Sequence, residues 1–235
     1  MREALGVDSE QRWLSEPESK QLVQQFGIPV PKGQVIAPFQ ESPMLPPDLP
    51  FPCVVKIISP QVVHKSEVQG VRLNVLDTGS LHAAMRTMEQ DAAMQGYTIR
   101  GFLVEEMVEG DVEILVGSVV DPRFGPIITL GMGGVYVEVL DDVVSRICPV
   151  SPYDVVDMID ELRGSPLIKG TTRGQPGWPL APFVHAVMRI GGPHGLLFTS
   201  GHTIREFEIN PLLLHHGQII ALDVRCRITK EAPSP

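Results

Sequence analysis

The stretch "EFEINPLLLHHGQIIALDVRCRI", residues 206–228, decides the fold. Two runs of alternating apolar and polar residues flank His216-Gly217, and a period of two belongs to strands with one face on a core. With the turn centred there, a loop of two or of four residues gives one and the same register. Asn210 then stands opposite Asp223, and Glu208 opposite Arg225. Glu208, Asn210 and Leu212 share one face of this ribbon, and Phe207, Ile209, Leu222 and Val224 share the other. Carboxylate and amide oxygens gathered in this way suit Mg²⁺, which takes one or two protein ligands and completes its shell with phosphate oxygens and water. A solvated polar face with a Glu208-Arg225 ion pair explains the same pattern, so both readings stand at this point.

A second informative stretch is "VVKIISPQVVHKSEVQGVRLNV", residues 54–75. Lys56 interrupts an apolar strand, either as a snorkelling edge residue or as a cation aimed at a phosphate. Lys65 and Ser66 add donors in the loop that ends at Gly70. No G-x-x-x-x-G-K-[ST] phosphate loop occurs in the chain. His64 reads as a general base, a phosphoryl-accepting nucleophile or a plain loop residue. Further along, "GFLVEEMVEGDVEILVG" (101–117) carries Glu105, Glu106, Glu109, Asp111 and Glu113. Acids at a strand end either face solvent or accept hydrogen bonds from a ribose or an adenine amino group. The glycines in "GMGG" (131–134) allow backbone amides to approach an anion closely, or simply end a strand.

The 235 residues are 43% hydrophobic, enough for one large core or for two units with a core each. A formal charge of -9 argues against a general nucleic-acid binder, which needs a basic surface. It does not oppose a small phosphate compound held by a few converging cations. The opening residues have no apolar signal-like run and no apolar stretch reaches membrane-span length, so the expectation is a cytoplasmic chain with no membrane partner. Cys53, Cys148 and Cys226 are widely spaced, which predicts reduced core residues, not a disulfide framework or a zinc site.

The remaining elements interleave. Ser15 and Glu18 form a capping-box pattern that predicts a helix to about Phe26, closed by "GIPVPKG". A proline-rich link (Pro43, Pro46, Pro47, Pro50, Pro52) leads to the strands "CVVKII" and "GVRLNV". A helical pattern runs from Ser80 to about Gly96, with Leu81, Ala84, Met85 and Met88 on one side. Strands "GFLVEEMV", "VEILVGSVV" and "PIITLG" follow, the last two joined at "DPRFG", and then "VYVEVL". Helices are expected from Ser151 to Leu162 and from Ala181 to Ile190, with "RGSPLIKGTTRGQPGWP" irregular between them. This order predicts an α+β or α/β architecture with several antiparallel pairs.

Five blocks, taken in order, resemble one family: the ATP-grasp (β) subunits of ADP-forming acyl-CoA synthetases, also called acetate-CoA ligases (ADP-forming), relatives of succinyl-CoA synthetase. They are "LSEPESKQLVQQFGIPVPKG", "VVKIISPQVVHKSEVQGVRLNV", "FLVEEMVEGDVEILVGSVVDPRFGPIITLGMGG", "VEVLDDVVSRICPV" and "EFEINPLLL...ALDVR". The resemblance implies an ATP-grasp fold over residues 1–235, with two sub-domains and the nucleotide bound in the cleft between them. The smaller sub-domain would cover approximately 20–110, and the remainder would include the Mg-binding hairpin 206–228.

By the same resemblance, Lys56 contacts ATP phosphate and adenine, with Lys65 a further phosphate donor. Glu105 and Val108 match the hinge on the adenine, and Glu113 the acid near the ribose. Asn210 and Asp223 match the Mg²⁺ ligands, with Glu208 a third contact. His64 matches a histidine in phosphoryl relay, and Arg146 and the turn at Gly133 face the transferred phosphate. The implied cofactors are ATP/ADP and Mg²⁺. The implied partner is a CoA-binding α subunit that carries the phosphohistidine loop, in a hetero-oligomer, because the CoA-binding and ligase domains are not among these residues. "TTRGQPGWPLAPFVHAVMRIGG" departs from the pattern, losing the acid that usually follows the Arg-Gly pair. Two rival readings are another ATP-grasp carboxylate ligase and a non-catalytic nucleotide-sensing module.

Overall fold

The computed structural model describes residues 11–38, 51–62, 65, 68–110, 112–134, 142–171, 179–200, 203–215 and 217–229. The chain divides into two compact units. One comprises Met1–Leu14, Glu18–Val30 and Gly110–Pro235, the other Ser15–Pro17 and Pro31–Glu109. Most of the first helix belongs to the larger unit.

In the larger unit the described strands are β1 (Gln11–Trp13), β6 (Val112–Asp121), β7 (Gly125–Met132), β8 (Val143–Ile147), β9 (Thr203–His215), β10 (Gln218–Ala221) and β11 (Val224–Thr229). They form one antiparallel sheet in the order β1-β11-β9-β6-β7-β8, with β10 continuing on β9. One face carries Ile114, Val116, Ile128, Leu130, Phe207, Ile209, Val224 and Cys226, all fully buried. Helices α3 (Pro152–Glu161) and α5 (Leu180–Gly191) supply Val155, Met158, Ile159, Phe183, Val187 and Ile190 to the same core, and α1 (Glu16–Gln25) adds Leu22 and Val23. Two single-turn helices, α4 (Ser165–Ile168) and α6 (Leu196–Thr199), lie in segments too rich in Gly and Pro for helical periodicity to reveal them.

The smaller unit pairs β2 (Gly33–Ile36), β5 (Gly101–Glu106), β3 (Cys53–Ile58) and β4 (Val71–Val75), in that order. Helix α2 (Thr78–Gln95) turns Leu81, Met85 and Met88 into a core with Cys53, Val55, Ile57, Phe102 and Val104. Alternation leaves Val54, Lys56, Leu103 and Glu105 on the opposite face. Helix α2 opens two residues before the expected Ser80. Asp77 is its N-cap: the carboxylate accepts the Ser80 amide at 2.7 Å, and Ser80 serves as the return arm of the capping box. The strand expected at "VYVEVL" lies outside the described residues.

Helix α3 starts where the sequence predicts, with Pro152 in its first turn. The Asp154 carboxylate accepts from the Ser151 amide and hydroxyl, each at 2.7 Å, and the Asp154 amide donates back to Ser151 Oγ at 3.3 Å. These bonds, the backbone amide first, hold the Asp154 carboxyl below its ordinary value of 3.8. Burial pushes the Cys148 thiol up to about 11 and the Cys226 thiol to about 12, and all three cysteines are free. Ser151→Ala should cost about 1 kcal/mol in urea denaturation at pH 7. The share contributed by Asp154 is complete above the unfolded carboxyl's titration and fades as pH falls below it, so the stability gap between wild type and Asp154→Asn should close on acidification towards pH 3.

Candidate functional site

The closing hairpin forms in the register that the sequence dictates. Arg225 pairs with Glu208, Val224 with Ile209 and Cys226 with Phe207, and β10 continues the register with Ile219 on Leu214 and Ala221 on Leu212. The Asn210 amide donates to the Asp223 carbonyl at 3.1 Å, which fixes these two residues as neighbours. With Phe207, Ile209, Val224 and Cys226 in the core, Glu208, Asn210, Asp223 and Arg225 take the other face, where all four are half-buried. The Arg225 guanidinium lies 3.9 Å from the Asp223 carboxylate.

Leu212 is the exception: expected on the polar face, it is fully buried in the core. The pairing of β9 with β6 shifts between Ile114 and Val116, opposite the residues between Ile209 and Leu212. One such irregularity reverses the side-chain alternation beyond it. The polar face continues across the sheet through Gly117, Thr129 and Ser145, which align with Glu208. The Thr129 and Ser145 hydroxyls share a hydrogen bond of 2.7 Å. A methyl group at Gly117 would meet nothing closer than the Phe207 carbonyl oxygen at 3.8 Å. This row is thus bare of bulky side chains next to the acidic cluster.

Glu113 and the Gly131–Gly134 segment, read separately in the sequence, are brought together. Exposed Glu113 stands on β6, and its carbonyl accepts the Gly133 amide at 2.7 Å. A Cβ on Gly133 would come within 2.8 Å of the Glu113 and Ile114 backbone, and one on Gly134, at φ +61°, would overlap the Glu113 carboxylate. Arg146 is placed apart from these residues. It pairs with Ile128 on β8, on the core face, where its guanidinium donates to Glu161 of α3. That bond, ahead of every other influence, raises the Arg146 pKa above its ordinary value. Glu208, Asn210 and Asp223 stand on the opposite face of the same sheet.

In the smaller unit, Lys56 and Glu105 share the face away from α2. The Lys56 ammonium lies 2.6 Å from Glu16 Oε1 and 3.2 Å from Glu105 Oε2, and the Lys65 ammonium lies 2.8 Å from Glu16 Oε2. All four residues are buried. Ammonium groups thus face carboxylates, as burial demands, because an unpaired buried ion is strongly destabilising. Val108 is half-buried just past β5. His64 and Ser66 lie outside the described residues.

Glu16 is the member that sequence reading missed: the capping pattern there rests on Ser15 and Glu18 alone. The signal was Lys56 itself: a lysine in a buried strand requires carboxylate partners.

The fit of Mg²⁺ to the hairpin follows from its donors. Asn210, Asp223 and Glu208 offer hard oxygens alone, the type that Mg²⁺ takes. Among the described residues no group of three or more His, Cys, Asp or Glu is placed to hold a metal by itself. A cation here would depend on oxygens brought by a ligand.

A family model described as an ATP-grasp domain matches residues 6–228. The chain belongs to the ATP-grasp family. It is 32% identical to the acetate–CoA ligase [ADP-forming] I subunit beta of Pyrococcus furiosus over 219 residues, 92% of each chain. It is 33% identical to the 4-hydroxybutyrate–CoA ligase [ADP-forming] of Nitrosopumilus maritimus, over 86% of this chain but 28% of that protein. The chain therefore spans nearly all of a separate β subunit and under a third of a longer ligase. Among solved structures, the dinucleotide-forming acetyl-coenzyme A synthetase 1 of Ca. Korarchaeum cryptofilum in complex with coenzyme A and Ca-AMPCP superposes with a TM-score of 0.80. The identity is 32%, with 93% of this chain and 94% of that chain covered. Another structure of that synthetase holds coenzyme A and Mg-AMPPCP, with a phosphohistidine segment pointing towards the nucleotide-binding site.

This family membership agrees with the α+β architecture of both units. Gly133→Ala should cost about 1–3 kcal/mol in urea unfolding, because its methyl group would press on backbone atoms that cannot rotate away.

Proposed function

We propose that this chain is the nucleotide-binding β subunit of an ADP-forming acyl-CoA synthetase, which makes ATP and a carboxylate from acyl-CoA, ADP and phosphate. The observation that carries the proposal is the hairpin register. It puts Asn210 beside Asp223 on a polar sheet face, in a chain similar end to end to a β subunit of an acetate–CoA ligase.

In this reading Asn210 and Asp223, with Glu208 beside them, hold Mg²⁺ on the phosphates of the nucleotide. The metal, when bound, neutralises charge on the transferring phosphoryl group. Lys56 and Lys65 supply cationic donors to the phosphates. Glu105 and Val108 flank the adenine and Glu113 accepts from the ribose, while the amides near Gly133 face the phosphoryl group. These side chains act by positioning and by fixed charge, the main protein contribution to phosphoryl transfer. His64 relays the phosphoryl group. Arg146, bound to Glu161, braces β8 against α3 and acts on the site through the strand.

No described helix is long and apolar enough to cross a membrane, and the thiols are free, in keeping with a cytoplasmic enzyme. The activity requires a partner that binds CoA and carries the phosphohistidine segment, as a separate α subunit in a hetero-oligomer. The relative of which this chain spans 28% indicates how much further sequence a related ligase contains.

Co-purification with a candidate CoA-binding subunit, followed by an assay for ATP from acetyl-CoA, ADP, phosphate and Mg²⁺, tests the reading. ATP should form, and Asp223→Ala should abolish it. His64→Ala should stop phosphoryl transfer while changing nucleotide affinity less than about threefold, under ~1 kcal/mol. Nucleotide binding without turnover with any such partner would instead identify a sensing module.

A further inference from the structure

The buried charges of the smaller unit assign a role to Glu16. Its side chain is 1% exposed, yet it carries a carboxylate in the first turn of α1. Each of its oxygens faces a different lysine: Oε1 lies 2.6 Å from Lys56 Nζ and Oε2 lies 2.8 Å from Lys65 Nζ. The two lysines are nine residues apart, and Lys65 is in the loop after β3, where its carbonyl accepts the Gly70 amide at 2.7 Å. Lysine side chains are long, with about 2 kcal/mol of rotamer entropy each, so an ammonium aimed at a ligand needs something to hold it. Glu105 reaches Lys56 at 3.2 Å, and Glu16 is the carboxylate that joins the pair.

Glu16 stands in the first turn of α1. The N-terminal turn of a helix presents unsatisfied amides and the positive end of its dipole, both of which stabilise a carboxylate. Two like charges brought close in a dry site repel, and a shared counter-ion offsets that repulsion. Without Glu16 the lysines would lose the carboxylate between them and move apart, which removes a correctly placed cation from a phosphate.

We infer that Glu16 is the positioning residue of the nucleotide-binding lysines, the shared carboxylate that holds the Lys56 and Lys65 ammonium groups at the spacing from which they meet nucleotide phosphates. The inference rests on the reading of Lys56 as a phosphate contact.

Calorimetric titration of Mg-ADP into the full chain tests it through a double-mutant cycle. Lys56→Met should raise the Kd at least tenfold, and Glu16→Gln should do the same. Adding Glu16→Gln to a variant that already carries Lys56→Met and Lys65→Met should leave its Kd within about twofold, because Glu16 acts through lysines that are already gone. A residue that merely stabilises the fold would multiply the two losses.

Glu16→Asp keeps the charge but is one methylene shorter, so it should weaken binding at least fivefold; this arm serves if Glu16→Gln does not fold by circular dichroism. An unchanged Kd in Lys56→Met would overturn the reading of the site. A weakened Lys56→Met beside an unchanged Glu16→Gln or Glu16→Asp, or multiplying losses, would overturn the role of Glu16 alone.

Discussion

The larger unit depends on the register of one strand. β9 pairs with β6 along one edge and with β10 and β11 along the other. Because side chains alternate, a slip by a single residue would turn Phe207, Ile209, Val224 and Cys226 out to solvent and drive Glu208, Asn210 and Asp223 into the core. The apolar set enforces the register, since burying each of its larger members contributes roughly 1.5–3 kcal/mol. The position of the Glu208, Asn210 and Asp223 oxygens is therefore a by-product of core packing. Their placement needs no dedicated interaction, and it survives as long as the core does.

The smaller unit works under a different constraint. Its site face carries charge into a buried setting, so each ion is fixed by the others: Lys56 by Glu16 and Glu105, Lys65 by Glu16. Such a cluster contributes little net stability, because desolvation cancels much of the attraction, but removing one member leaves an uncompensated charge. Its value is geometric. Hydrophobic packing behind the sheet, from Leu81, Met85 and Met88, supplies the stability that the charged face does not.

Legibility followed the range of the interactions. The cross-strand register of the hairpin was readable because its turn and its pairing are local. Helix α3 was readable because Ser151, Pro152 and Asp154 write its start into four residues. The start of α2 was misplaced by two residues, since the apolar pattern begins only at Leu81 while the cap that starts the helix is Asp77. Leu212 was assigned to the wrong face because the shift that reverses it arises from pairing with β6, nearly a hundred residues away in sequence. The resemblance supplied roles for single residues, yet it grouped Arg146 with the phosphate-facing elements, whereas parity along β8 and the bond to Glu161 turn it to the helical side. That Glu16 is one of the carboxylates on Lys56 was invisible because the two meet only in three dimensions.

The central claim is that the hairpin oxygens hold a metal that arrives with the nucleotide. Calorimetric binding of ADP to the full chain with Mg²⁺ and with EDTA, for wild type and for the Asn210→Ala, Asp223→Ala double variant, tests it most directly. The account predicts that Mg²⁺ strengthens wild-type binding at least tenfold, about 1.4 kcal/mol, and that the double variant loses this gain while keeping its metal-free affinity. An equal Mg²⁺ gain in the double variant would contradict it.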